Sequence, residues 1–207
     1  MPRPSPLQNR CAPDGSLHAV AARGLFTGNR GGRIHGPDQR LGRARWKSRA
    51  WIACLTEYRG WWRPVMGDGY TEIFFLDEAT ALAAGHRPCF LCRRPDARAF
   101  AAAWARARGI AAPPRAPEMD RVLHAERTGP PDPAAFGSLP HGTMLAAGGA
   151  FFLRTGAGAL QCSFEGYRPA DRGFAADEVV TAVTPASARA VLASGYAPRL
   201  HPSAVRT

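Results

Sequence analysis

Lysine is almost missing from this chain: Lys47 is the one lysine among 27 basic residues in a length of 207. Acids are short as well, 16 against those 27, which leaves a formal net charge of +11 and a pI near 10.6. A genome rich in arginine and alanine codons accounts for arginine over lysine, but not for the excess over acids. Long apolar runs are absent. With no stretch of about 18 apolar residues, no membrane-spanning helix is expected. The opening MPRPSPLQNR has no apolar centre of the kind a secretory signal needs. Cysteine is scarce, five in all and so an odd number. Without an export signal, the expectation is reduced thiols in a cytoplasm rather than a disulfide framework. No G-x-S-x-G, H-E-x-x-H or dinucleotide fingerprint appears, and TGNRGGRIHG (27–36) lacks the G-K-[ST] of a Walker loop.

The charge that is present is unevenly placed. Residues 1–70 carry 12 basic and 4 acidic side chains, whereas residues 116–207 carry 8 of each. A basic front half joined to a neutral back half points to a polyanionic partner, nucleic acid before others. A merely solubilising surface is the alternative.

Turn residues and periodicity divide the chain into an arm (1–22, proline-rich and expected to be mobile), a basic module (23–109), a linker (110–119) and a second module (120–207). In the first module WIACLTEY (51–58) and GYTEIFF (69–75) read as strands, and GWWRPVMGDG between them suggests an antiparallel hairpin. DEATALAAG (77–85) reads as a short helix with Asp77 as N-cap and Gly85 as stop. PDARAFAAAWARARG (95–109) is the clearest helix, with Phe100, Ala103 and Trp104 on one face and Gly109 at its end. In the second module AFFLRT (150–155) and LQCSF (160–164) flank a GAGA turn as a hairpin. EVVTAVTP (178–185) is β-rich, and TPASARAVLASG (184–195) is a capped helix. The fold class expected is α+β: a small zinc-binding α/β module followed by an α+β module with an antiparallel sheet.

The chemistry centres on GHRPCFLCRRPD. Cys89 and Cys92 form a C-x-x-C, whose sulfurs sit on one side of a tight turn and can share a tetrahedral zinc. A redox pair is less suited, because the preceding element is a helix rather than the strand of a βαβ unit; two inert buried thiols remain open. Zinc needs further ligands. Cys54 is the third candidate. His35, His86 and His124 compete for the fourth place, with His35 preferred, and Cys11 and Cys162 are weaker. Arg30 and Arg33 stand in a glycine-rich stretch that can form a phosphate-holding nest. RLGRARWKSRAW (40–51) interleaves five cations with Trp46 and Trp51, a pattern suited to phosphates and base stacking. Arg87, Arg93 and Arg94 flank the knuckle and are the expected phosphate contacts there.

IFFLDEATALAAGHRPCFLCRRPD, about residues 73–96, resembles the N-terminal metal-binding domain of the Ada alkylation-response family. The shared features are a strand, a short helix ending in Ala83-Ala84-Gly85, then Arg87-Pro88-Cys89-x-x-Cys92 and Pro95-Asp96. The resemblance implies a zinc site and a connection with DNA repair or its regulation. In that family an upstream C-x-x-x-C supplies two more thiolates, one of which can accept a methyl group from DNA. Here Cys54 matches one of those cysteines, but Tyr58 stands where the other would be. The departure implies a mainly structural zinc and no methyl transfer to Cys54.

Two further readings stay open. P-C-x-x-C and His124-Ala125-Glu126 are the halves of the zinc deaminase signature, in reversed order, which would make the chain a zinc-dependent enzyme acting on nucleic acid or nucleotides. A protein-interaction module with incidental charge is the other.

Overall fold

The computed structural model describes residues 5–205. Within them lie β1 (Arg10–Cys11), β2 (Leu17–His18), β3 (Phe26–Asn29), β4 (Ile52–Leu55), β5 (Ile73–Phe75), α1 (Glu78–Ala83), β6 (Arg87–Pro88), α2 (Arg94–Arg108) and α3 (Ala116–Arg127). Then follow β7 (Asp132–Ala135), β8 (Met144–Ala147), β9 (Ala150–Thr155), β10 (Gly158–Cys162), β11 (Tyr167–Pro169), β12 (Val179–Ala182) and α4 (Ala186–Ala193). The class is α+β. One mixed sheet has the order β2-β1-β5-β3-β4-β6, and one antiparallel sheet the order β11-β10-β9-β8-β12-β7. Among the described residues no helix is long and apolar enough to cross a membrane.

The two strands expected to form a hairpin do form, but they are not neighbours. β3 lies between them, paired antiparallel with β4 on one side and β5 on the other. Glycine makes this possible. A Cβ at Gly28 would stand 2.2 Å from the Ile52 carbonyl oxygen and 2.8 Å from the Phe75 ring, so only a bare backbone fits the centre of the sheet.

The expected arm also belongs to the sheet. Residues 1–4 fall outside the described residues, but β1 pairs parallel with β5 and antiparallel with β2, and Cys11 is buried. The Phe74 N–H donates to the Asn9 carbonyl at 2.8 Å, which ties the segment down by backbone bonds. The expected linker is partly helical: its residues 116–119 open α3. Pro117 sits in the first turn, where a missing N–H costs nothing.

α1 starts as expected, with Asp77 accepting from the Thr80 N–H at 2.9 Å. Gly85 holds φ +77 directly after this helix, and Arg127 lies where its Cβ would be. α2 ends on Gly109 in the left-handed region. The β9–β10 hairpin is present in register Leu153 to Leu160.

Apolar packing joins the front and back of the chain. Phe100, Ala103 and Trp104 of α2 share a core with Met119 and Leu123 of α3 and with Ala188, Val191 and Leu192 of α4. Ala79 and Ala83 of α1 pack with Met144, Leu153 and Tyr167 of the second sheet. Polar contacts follow the same route: Asp77 accepts from the Tyr167 hydroxyl at 2.8 Å and from the His201 N–H at 3.0 Å.

Candidate metal centre

β4 and β6 run parallel, pairing Ile52 with Arg87 and Ala53 with Pro88. The Cys89 N–H continues the ladder by donating to the Ala53 carbonyl at 3.0 Å. This register carries Cys89 alongside Cys54, the next residue of β4. The turn into α2 then brings Cys92 round to the same place. The sulfurs of Cys54, Cys89 and Cys92 all lie within 4.8 Å of one another. Zn–S bonds of about 2.3 Å in a tetrahedron place neighbouring sulfurs about 3.8 Å apart, so the group is sized for a single ion. Backbone N–H groups support two of the sulfurs: Leu55 donates to Cys92 and Leu91 to Cys89, each at 3.4 Å. Such bonds stabilise thiolate over thiol.

Packed this closely, the three thiols titrate as a unit. Hydrogen bonds from Cys54 and then Cys92 push Cys89 down to about 2. Cys54 is pushed far up, because its proton is shared with the two neighbouring sulfurs and because it is buried. A divalent cation at their centre replaces the shared protons and lets all three ionise. The donor set therefore fits a soft or borderline metal. No fourth His, Cys, Asp or Glu among the described residues places its ligand atom within 4.8 Å of all three sulfurs. All five cysteines are free of disulfides.

Comparison with family descriptions, curated proteins and solved structures finds no match.

His35, the preferred fourth ligand, is not part of the group. Its Nδ1 meets the Thr71 hydroxyl and its Nε2 the Gly67 carbonyl, so both ring nitrogens are engaged elsewhere. His124 meets Arg127 through Nδ1 and packs its ring edge on Trp46. Glu126 accepts from the Ser187 N–H and hydroxyl at the start of α4. Neither joins the sulfurs, so the two halves of a deaminase signature are not assembled. Cys11 lies in β1, three strands from β4, and Cys162 in the other sheet.

The arginines divide sharply. Arg87 makes a buried bidentate pair with Asp120, at 2.8 and 2.9 Å. Arg93 is buried against Glu78 at 2.7 Å. Arg30 is buried and donates to the Gly15 carbonyl at 2.7 Å. These three, expected at phosphates, are turned inward by internal acceptors. Arg33 and Arg94 remain solvent-facing. The glycine-rich stretch is no open nest either, because Ser48 packs against Gly31 and the Lys47 N–H donates to the Arg30 carbonyl.

His86, another fourth-ligand candidate, is fully buried between Trp51 and Phe75, and neither ring nitrogen finds a hydrogen-bond partner. Burial, then the charges of Arg30 and Arg127, hold its pKa well below the usual value. The folded protein thus keeps His86 neutral, while the unfolded chain takes up a proton below about pH 6.5. Stability from this residue is complete above that pH and is lost on acidification. Between pH 7 and pH 5 the wild type is expected to lose about 2 kcal/mol more than His86→Phe, read from urea unfolding at each pH. Equal losses would mean that His86 is protonated in the fold.

Proposed function

We propose that this chain is a zinc-binding protein that contacts nucleic acid, with DNA the expected partner, through its basic N-terminal half. Zinc would be held by Cys54, Cys89 and Cys92, cross-linking the edge of β4 to the turn that starts α2. Bound there, the ion would act mainly as a structural tie, its two positive charges outweighed by the three thiolates. The resemblance of residues 73–96 to Ada-type domains supports the metal and a role connected with DNA repair or regulation.

One observation carries the nucleic-acid reading. The loop that leaves β4, two residues beyond Cys54, presents Trp61 and Trp62 to solvent at 70% and 84% exposure. Arg59 and Arg63 flank them, and the Arg63 guanidinium lies 3.4 Å from the Tyr70 ring centroid. Two neighbouring exposed tryptophans contribute nothing to a core. Between cations they form the combination that stacks bases and neutralises phosphates. With Arg33 and Arg94, four arginines on this half face solvent, of which Arg63 and Arg33 would first have to leave Glu72, at 3.0 Å, and Asp68, at 3.7 Å.

Fluorescence anisotropy with labelled single-stranded and duplex oligonucleotides tests the reading. Neutralising four phosphates of a single strand gives a slope of about −3 in log K against log salt. Trp61→Ala with Trp62→Ala should weaken single-strand binding by about 1–3 kcal/mol per lost stack. No binding to either form at low salt overturns the proposal.

A further inference from the structure

Away from the three sulfurs, a cleft of about 930 Å³ opens between the 45–51 segment, the C-terminal turn of α3 and the start of α4. Arg45, Trp46, Trp51, Glu126, Arg127 and Thr184 are among the residues lining it. Its size suits a small organic ligand.

The charge beside it is unusual. The guanidinium carbons of Arg30 and Arg127 each lie 4.0 Å from the centroid of the Trp51 ring. Among the described residues neither has a carboxylate within 4.0 Å. Arg30 gives its Nη2 to Gly15 and Cys11, and Arg127 gives Nη1 and Nη2 to the carbonyls of Gly85 and Arg49. The Nε of each is buried with no partner. Asp120, which acts on Arg127 from nearby, is taken by Arg87. Burial is the main cause that lowers Arg127 to about 9, and it lowers Arg30 as well. The same fold pairs Arg87 and Arg93 directly with carboxylates, so two cations without a direct carboxylate partner beside an open cleft point to an anion there.

The carboxylates that line the cleft make no direct pair with either arginine. Asp132 is paired with Arg189; Glu126 and Asp14 accept from the neutral hydroxyls of Ser187 and Ser16, and Asp14 acts on Arg30 only from a distance. Arg45 is exposed at the rim, and Trp46 stands beside it 36% exposed, its ring 6.1 Å from that of Trp51.

We propose that this cleft binds a nucleotide unit, with the phosphate drawn to the Arg45–Arg127 end and the base stacked on Trp46. The choice of a nucleotide among anions rests on the nucleic-acid reading above. A free nucleotide and a nucleotide splayed from a strand share this chemistry. Three of the seven basic and aromatic residues at 40–51, Arg45, Trp46 and Trp51, then have a defined place as a wall of the cleft.

Tryptophan fluorescence and calorimetry on the full chain separate the possibilities, with adenosine monophosphate, adenosine and a single-stranded oligonucleotide as probes. Adenosine monophosphate is expected to saturate below about 1 mM, and adenosine to bind at least about tenfold more weakly. Arg45→Glu and Trp46→Ala, both at exposed positions, should each weaken the monophosphate by about tenfold or more while far-ultraviolet circular dichroism stays unchanged. A monophosphate that fails to saturate, or binds both variants as it binds wild type, overturns the cleft proposal. If the oligonucleotide then still binds, the nucleic-acid reading stands without the cleft. If the monophosphate binds through Arg45 and the oligonucleotide does not bind at low salt, the cleft stands with a free nucleotide as its ligand, and the nucleic-acid reading falls.

Discussion

Cys89→Ser is expected to abolish stoichiometric zinc binding, taking the purified protein from about one zinc per chain to about a tenth or less. Cys89 is the least solvent-exposed of the three, and it sits in the ladder between β4 and the turn into α2. Replacing it leaves Cys54 and Cys92 on separate elements with no shared third donor. Zinc at about a thousandfold excess over its dissociation constant adds about 4 kcal/mol of stability. Each kcal/mol moves the melting midpoint of a domain this size by about 2–4 °C. The variant, and wild type treated with chelator, should therefore melt about 8–16 °C below the zinc-loaded protein. Cys162→Ser, at a thiol outside the group, should keep both the metal and the midpoint. Retention of zinc by Cys89→Ser would place the metal elsewhere.

Glu78→Ala is expected to be the most damaging substitution away from the metal. The Glu78 carboxylate accepts from Arg93 at 2.7 Å, from the Tyr196 hydroxyl at 2.6 Å and from the Arg199 N–H at 2.8 Å. The Glu78 and Arg93 side chains are 2% and 1% exposed. Truncation leaves a buried guanidinium and two other donors without their acceptor, a loss of about 3–5 kcal/mol. It would also remove two of the bonds that tie the segment after α4 to α1, so thermal unfolding should fall by roughly 10 °C or more. Asp96 meets the same arginine at 2.9 Å, but its side chain is 50% exposed. Asp96→Ala is expected to cost less than about 1 kcal/mol. Similar midpoints for the two variants would show that burial does not set the strength of these pairs.

Local chemistry made some of this fold readable in advance. α2 announces itself by Pro95 at one end, Gly109 at the other, and Phe100 and Trp104 one turn apart. Asp77 marks the start of α1, and the GAGA turn marks the β9–β10 hairpin. Elements stabilised by distant partners were opaque. Phe26–Asn29 contains a glycine and an asparagine, poor strand formers, and becomes a strand because β4 and β5 pair with it on either side. Arg10–Cys11 is a strand for the same reason. α3 was hidden by Pro113, Pro114 and Pro117, which signal a break until one sees that Pro117 occupies a first helical turn.

The site divides the same way. Two sulfurs were visible by their spacing, and the third by its place in a predicted strand, because a C-x-x-C turn and a strand are local objects. The fate of each arginine was not visible. Arg87 faces Asp120, 33 residues away, and Arg93 faces Glu78, 15 residues away, so whether a cation turns inward depends on a carboxylate that no short motif includes. Trp61 and Trp62 lie in a stretch dominated by the turn signals of Gly60, Pro64 and Gly67. Their adjacency was the available signal, since an alternating strand would hide only one of the two.

Zinc-edge X-ray absorption of the protein as purified tests the three-sulfur centre most directly. The geometry predicts about three sulfur neighbours near 2.3 Å and one lighter nitrogen or oxygen neighbour near 2.0–2.1 Å. Four sulfurs, fewer than three, or protein that carries no zinc at all would contradict it.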